Sequence, residues 1–346
     1  MKLQVLYNCP CLVYNDNIMV KLVITENEDN QRLDRFLRKY LVNAPLSHIY
    51  KLIRKDIKLN GRRADAETML AAGDELTLYL SEETLAQYTK AKQTPKARRQ
   101  FRVAYEDEQV LIVEKPLGLL THGDAAEKKN TLANQVISYL IEAGEYRPGR
   151  EKTFVPSPVN RLDRNTTGLV IFGKTGLALQ ALNRMIRERE YVSKYYLTVV
   201  AGALERELIL RDRMEKDSRT NRVTVTAIGD GDEGPAGGKV METIARPLAL
   251  GKGYTLVEVE LVTGRTHQIR AHLAQAGYPV MGDAKYGRRE VNAAAARKFG
   301  LTTQFLHAHR LVFHKGAAPL GYLAGREVLC PLPEALAGIK KDLFDQ

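Results

Sequence analysis

The sequence predicts an α+β protein in two parts. A small two-helix unit with a short sheet comes first. A larger unit follows, built on a mixed, largely antiparallel central sheet with flanking helices. Three observations lead there. At 346 residues the chain is long for one domain and comfortable for two. Its 44% apolar and 27% charged residues are the mix of a globular protein with a core. From Phe101 onward, strand-like and helix-like segments alternate, and Val257-Glu258-Val259-Glu260-Leu261 changes face at every residue. That alternation leaves one side of its sheet wet, which favours antiparallel or mixed pairing over a doubly wound parallel sheet.

Residues 1–19 read as an extension outside the fold. Their apolar run is broken by Asn8 and Pro10, they lack a signal-peptide cleavage site, and Met19 stands just ahead of the first convincing structure. Within 20–81, Leu33, Phe36, Leu37, Tyr40 and Leu41 make the stripe of a helix burying one face, with Asp29 or Asn30 able to cap it. Pro45 and Ser47 open a second helix, with Ile49, Leu52 and Ile53 inward and Lys51, Arg54 and Lys55 outward. Short Ile57–Leu59, the hairpin dipeptide Asn60-Gly61 and a strand over Glu75–Leu80 complete this unit. Residues 82–100 lack sustained periodicity and read as a basic linker, with six basic and no acidic residues from Thr84 to Arg102. Such a strap either follows an RNA backbone or merely keeps two domains apart. Within 101–333, strands are expected at Val110–Val113, Leu169–Phe172, Tyr196–Val200, Val257–Leu261 and Leu311–Phe313, and helices at Leu132–Leu140 and Ala178–Ile186. Residues 212–240 are polar and Gly-rich, as expected of a hairpin and loop.

Fifty-two Lys and Arg against 41 Asp and Glu leave a net charge of +11, which favours a polyanionic partner, nucleic acid or an anionic membrane face. No window approaches the ~20 apolar residues of a membrane span, and no amphipathic apolar face offers itself for insertion. Between Lys51 and Arg63 six basic residues (Lys51, Arg54, Lys55, Lys58, Arg62 and Arg63) face one acid, Asp56. An isolated charge run is usually a solvated helix face. Here the cations share one helix and the adjoining turn, the usual footprint for phosphates.

Three cysteines, Cys9, Cys11 and Cys330, are too few and too poorly spaced for a disulfide framework or zinc knuckle, which fits a reducing, cytoplasmic setting. The histidine pairs His267/His272 and His307/His309 lack a third ligand, so no metal site is expected. Gly229, Gly231 and Gly234 satisfy G-x-G-x-x-G, but Pro235 and two glycines follow where a dinucleotide site needs a helix to open.

The informative stretch is Pro156-Ser157-Pro158-Val159-Asn160-Arg161-Leu162-Asp163-Arg164-Asn165-Thr166-Thr167-Gly168, which runs into the apolar strand Leu169–Phe172. Two prolines deliver the chain into a tight turn that carries Asp163 between Arg161 and Arg164. Neighbouring guanidinium groups would hold that carboxylate ionised, its pKa lowered, which suits a nucleophile or a weak base. On these residues alone a structural Arg–Asp pair competes with that reading.

Four ordered motifs resemble those of RluA-type ribosomal RNA pseudouridine synthases, RluC/RluD-like, from about Phe101 to Pro331. The turn resembles H-R-L-D-x-x-T-S-G. Glu114-Lys115-Pro116-Leu117-Gly118-Leu119 resembles the K-P-x-G segment, and Lys194-Tyr195-Tyr196-Leu197-Thr198 the K-x-Y-x-A strand. Leu261 to His272, followed by Gly277 to Asp283, resembles the third motif. Residues 31–80 resemble an S4 RNA-binding domain. The resemblance implies a pseudouridine synthase fold acting on large-subunit ribosomal RNA, an isomerisation that requires no cofactor; a cytoplasmic monomer is expected, and no protein partner is implied. It implies Asp163 as the residue that attacks the target nucleotide, at C1′ or at C6. Tyr196 is implied to stack on the uracil and take a proton, Arg265 to hold the aspartate and Arg161 to displace the base. Arg161 and Arg164, with Lys51, Arg54, Lys55, Arg62 and Arg63, are the expected RNA contacts. Asn160 and Thr167 depart from the family's His and Ser. The competing class is a non-catalytic RNA-binding or ribosome-assembly factor. A retired enzyme has no physical reason to keep Asp163, Tyr196 and Arg265 together.

Overall fold

The computed structural model describes residues 18–90, 97–148, 153–217, 222–227 and 239–345. The expected extension up to residue 17, Cys9 and Cys11, Pro95 and the glycines at 229–234 lie outside them. The chain forms two compact units. The first takes the described residues of 1–93 together with those of 147–154, and the second takes the rest.

In the first unit the elements are β1 (Ile18–Val23), β2 (Gln31–Arg32), α1 (Leu33–Tyr40), α2 (Leu46–Lys55), β3 (Ile57–Leu59), β4 (Met69–Leu70), β5 (Glu75–Leu80) and α3 (Glu82–Thr89). Antiparallel β1, β5 and β3 make one sheet in that order, and β2 pairs with β4. Leu33, Phe36, Leu37 and Leu41 from the first helical stripe and Ile49, Leu52 and Ile53 from the second meet Leu76 and Leu78 in a single core. Asn60 and Gly61 turn with positive φ, and Leu59 and Arg62 exchange both backbone bonds across them.

Four expectations about boundaries are corrected. Ile18 and Met19 belong to β1, paired with Leu80 and Tyr79, and not to an extension. Neither Asp29 nor Asn30 caps α1. Asn30 turns at φ 55, two residues pair in β2, and the helix begins after Arg32. Residues 82–89 are not linker. Ser81 caps α3, accepting from Thr84 N at 3.2 Å, and Leu85 and Tyr88 pack on the core. The segment 147–154 groups with the first unit, where the Thr153 hydroxyl bonds Glu28.

The second unit contains β6 (Arg102–Glu106), β7 (Val110–Lys115), α4 (Leu132–Glu142), β8 (Ser157–Pro158), β9 (Thr167–Gly173), α5 (Gly176–Arg187), β10 (Val192–Ala201), β11 (Leu208–Asp217), β12 (Arg222–Ala227), β13 (Lys239–Gly251), β14 (Tyr254–Leu261), α6 (Gln268–Gln275), α7 (Arg289–Phe299), β15 (Leu306–Phe313), β16 (Glu327–Leu329) and α8 (Glu334–Phe344). One large sheet runs β12-β11-β13-β14-β10-β15-β9-β7-β6. Every pairing in it is antiparallel except β9 with β15. Apolar on both faces, β7 and β9 run through the middle of the core, with Leu182 and Met185 of α5 packed against them. The expected wet face is present, since Glu258 accepts from Arg310 and Glu260 from Arg246. The unit does not stop at 333. Leu336, Ile339 and Leu343 anchor α8 against Val199 and Leu256.

Candidate active site

Asp163 lies on the turn between β8 and β9, closed by Thr166 N donating to Asp163 O at 3.0 Å. The turn is tied down from several elements. Lys115, at the end of β7 and 1% exposed, donates from Nζ to the carbonyls of Pro116, Leu119 and Arg164 at 3.0, 2.7 and 3.0 Å. Burial pushes this amine down to about 7, and the charge of Asp163 opposes the shift. The Thr121 hydroxyl donates to Leu162 O and accepts from Leu162 N. Asn160 acts as an extra rung on β9, accepting from Ile171 N at 2.9 Å and donating to Leu169 O at 3.1 Å. The amide that replaces the family's imidazole is therefore engaged with the strand backbone. Thr167 donates to Nδ1 of His307, whose other nitrogen donates to Cys330 O. Burial pushes His307 down to about 4, which keeps it neutral. Gly168, at φ +113, lets β9 approach β15 so closely that a Cβ there would lie 2.1 Å from Ala308 O.

The carboxylate meets its guanidinium from helix α6. Arg270 Nη1 donates to Asp163 Oδ2 at 2.9 Å, while its Nε and Nη2 fork onto Asp283 at 2.6 and 2.8 Å. Asp283 is fully buried and also accepts from the amides of Lys285 and Tyr286. Burial alone would raise its pKa. The Arg270 hydrogen bonds and charge, with those amides, outweigh it and hold the carboxyl below the usual carboxylate range. Gln268 fixes the start of α6, donating to Glu242 O and Thr243 Oγ1 and accepting from Thr263 and Arg265 N.

Arg161, Asp163, Tyr196, Arg265, His267 and Arg270 line one cleft. Tyr196 is buried on the cleft side of β10, and burial and then the charge of Asp163 push its phenol up. Tyr195 faces the other way, under the Arg310 guanidinium at 3.8 Å from its ring centroid.

Two expectations fail here. The guanidinium that bonds Asp163 belongs to Arg270, not to Arg265, which lies exposed before the turn into α6. Nor do the adjacent arginines hold the carboxylate. Arg164 points away and pairs with Asp124 at 3.0 Å, and Arg161 is exposed at the cleft rim. Sequence reasoning passed over Arg270, Asp283 and His267, although all three stand inside the third motif. In the first unit Lys51, Arg54, Lys55, Arg62 and Arg63 are all exposed, and none makes an ion pair among the described residues. Among the described residues no helix is long and apolar enough to cross a membrane.

Comparison with known proteins identifies the family. Residues 109–275 match the RNA pseudouridylate synthase family. A Vibrio vulnificus protein named ribosomal large subunit pseudouridine synthase C is 32% identical over 327 residues, 92% of this chain and 95% of its own. Its Escherichia coli namesake is 32% identical over 311 residues, 86% of this chain and 90% of its own. The solved human RNA pseudouridylate synthase domain containing 4 shares the fold, with a TM-score of 0.55, 20% identity, and coverage of 69% of this chain and 91% of that one. With the first of these relatives aligned over nearly the whole of both chains, the non-catalytic reading falls away, and the chain belongs to the RNA pseudouridylate synthases, in their RluC-like branch.

Proposed function

We propose that this enzyme converts specific uridines of large-subunit ribosomal RNA to pseudouridine, with Asp163 as the attacking group. The observation that carries the assignment is the carboxylate itself. Asp163 is held through Oδ2 by Arg270 in a cleft that also contains the Tyr196 ring. The names of the relatives support ribosomal RNA as the substrate.

The reaction breaks the C1′–N1 bond, turns the base and forms C1′–C5. C5 loses a proton and N1 gains one, so there is no net redox change and no added group. The target base must leave its stack at a cost of about a few kcal/mol. In this reading Arg161, which is exposed and lines the cleft, fills or prises the gap, and the uracil packs on Tyr196.

The first unit serves as an S4-like grip on RNA through Lys51, Arg54, Lys55, Arg62 and Arg63, and Arg164 adds a contact beside the cleft. The protein works on this substrate as a single chain in the cytoplasm. The test is to map pseudouridines across ribosomal RNA from cells with the enzyme, without it, and with Asp163→Asn. Specific large-subunit sites should disappear in both deficient strains. Unchanged maps, or full modification by the Asn variant, would refute the assignment.

A further inference from the structure

The isomerisation needs a group to take the C5 proton, and the cleft supplies one that neither the motifs nor the comparisons assign. His267 lines the cleft with Asp163 and Tyr196, and its Nε2 lies 3.9 Å from Asp163 Oδ2. It occupies a left-handed backbone conformation, φ 53 and ψ 19, at the N-terminal boundary of α6. A non-glycine residue is strained there, and such strain collects at functional positions. On its far side Nδ1 is 3.1 Å from the Tyr286 hydroxyl, whose oxygen also accepts from Val223 N at 2.9 Å. Tyr286 packs edge-on against the imidazole at 5.7 Å and sits under the Arg270 guanidinium at 5.4 Å. The ring is therefore gripped from behind. In the tautomer whose Nδ1–H donates to the Tyr286 oxygen, the one this role requires, Nε2 presents its lone pair to the cleft.

We infer that His267 is the catalytic base that removes the C5 proton once the C1′–C5 bond has formed. The C5–H electron pair returns to the uracil ring, and the proton passes to Nε2. On the route in which Asp163 has attacked C1′, the new C–C bond has displaced its carboxylate, and the resulting imidazolium lies beside it. His267 later gives the proton to solvent, which balances the proton acquired at N1.

Tyr196 suits this task less well, because burial and the charge of Asp163 favour its protonated form. His267 faces Asp163 and Asp283, which raise its pKa, and Arg270 and Lys285, which lower it. Tyr286 stands behind it, with Tyr196 and Arg265 elsewhere in the cleft. Burial is the largest influence, and the balance leaves the imidazole below its ordinary value and neutral at physiological pH.

This inference rests on the cleft being the site of pseudouridylation. The test is single-turnover kinetics on RNA carrying 5-deuterated uridine at the target, with the full-length enzyme. His267→Gln keeps a side chain able to hydrogen-bond Tyr286. It should bind RNA as the wild type does, turn over roughly 10²–10⁴-fold more slowly, and show a primary deuterium effect larger than the wild type's. The wild type itself should show that effect growing as pH falls through the pKa of His267, a readout independent of whether any variant folds. A normal rate in the Gln variant, or a slow one with no added isotope effect, would overturn the inference, the latter leaving His267 as a support for α6. A flat isotope effect across pH in the wild type would overturn it as well. Asp163→Asn separates the two failures, because an active Asn variant refutes the site itself, whereas an inactive one beside a normal Gln variant refutes only His267.

Discussion

Asp283→Asn should injure both the stability and the chemistry of the enzyme, in a pH-dependent way. Asp283 is fully buried and accepts a two-pronged bond from Arg270, itself 9% exposed at the side chain. The amide keeps one acceptor but turns an NH₂ toward the guanidinium, so one prong is lost and the cation is left under-compensated. Breaking a buried pair from one side costs about 3–5 kcal/mol. In a unit of this size each kcal/mol moves Tm by roughly 2–4 °C, so Tm should fall by roughly 6–20 °C. The Asp283 carboxyl is held below its unfolded value, so its contribution is complete above pH ~4 and is lost as pH falls through the folded pKa. Calorimetric Tm values of the variant and the wild type should therefore differ most near neutrality and converge on acidification. Well below the variant's Tm, single-turnover rates should still be reduced, because Arg270 is no longer aimed at Asp163. A variant with an unchanged Tm, a pH-independent difference, or a wild-type rate would refute the claim that Asp283 holds Arg270 in place.

Three further outcomes are expected. Replacing Lys51, Arg54 and Lys55 together by Ala should lower the slope of log binding constant against log salt by ~1 for each phosphate no longer neutralised, with turnover at saturating RNA unchanged; filter-binding titrations at several salt concentrations measure it. Gly168→Ala forces a Cβ against Ala308 O from a backbone conformation that disfavours it, and should cost about 2–5 kcal/mol in denaturant unfolding. Tyr196→Ala should forfeit base–aromatic stacking worth roughly 1–3 kcal/mol, a drop of about 5- to 150-fold in kcat/KM, whereas Tyr195→Ala, on the opposite face under Arg310, should leave kcat/KM unaltered.

The legible parts of this protein were those set by local periodicity. The inward triad Ile49, Leu52 and Ile53, the strand Glu75–Leu80 and the polar face at Glu258 and Glu260 all follow from spacing, and each is found in place. Helix α8 carried the same signal in Leu336, Ile339 and Leu343 but lay past the last motif. Helix α3 carried little, since only Leu85 and Tyr88 reach the core. In the site, Asp163 and Tyr196 were legible through the resemblance of their motifs; strand alternation alone says only that Tyr195 and Tyr196 face opposite ways. That Arg270, and not the expected Arg265, bonds Asp163 could not be read. It depends on the chain reversing at His267, and a left-handed histidine leaves no mark in the sequence. Likewise Arg164 is adjacent to Asp163 in sequence, yet the turn sends its side chain to Asp124.

For the attack proposed for Asp163, the arrangement around it answers a conflict inherent in using a carboxylate as a nucleophile. A lone arginine beside it would keep it ionised and oriented but would also draw off the charge that makes it reactive. Here one guanidinium is shared between two carboxylates, and its two-pronged side is given to buried Asp283. Among the described residues Asp163 receives a single side-chain bond, through Oδ2, and His267 approaches that same oxygen. On the proposed mechanism Oδ1 is then the attacking oxygen, on a side chain 29% exposed. The turn that presents it gains its rigidity from the sheet, because Lys115 ties it to β7 and Asn160 and Gly168 tie it to β9 and β15. A loop supplies the reach, and the buried strands supply the precision that a nucleophile needs.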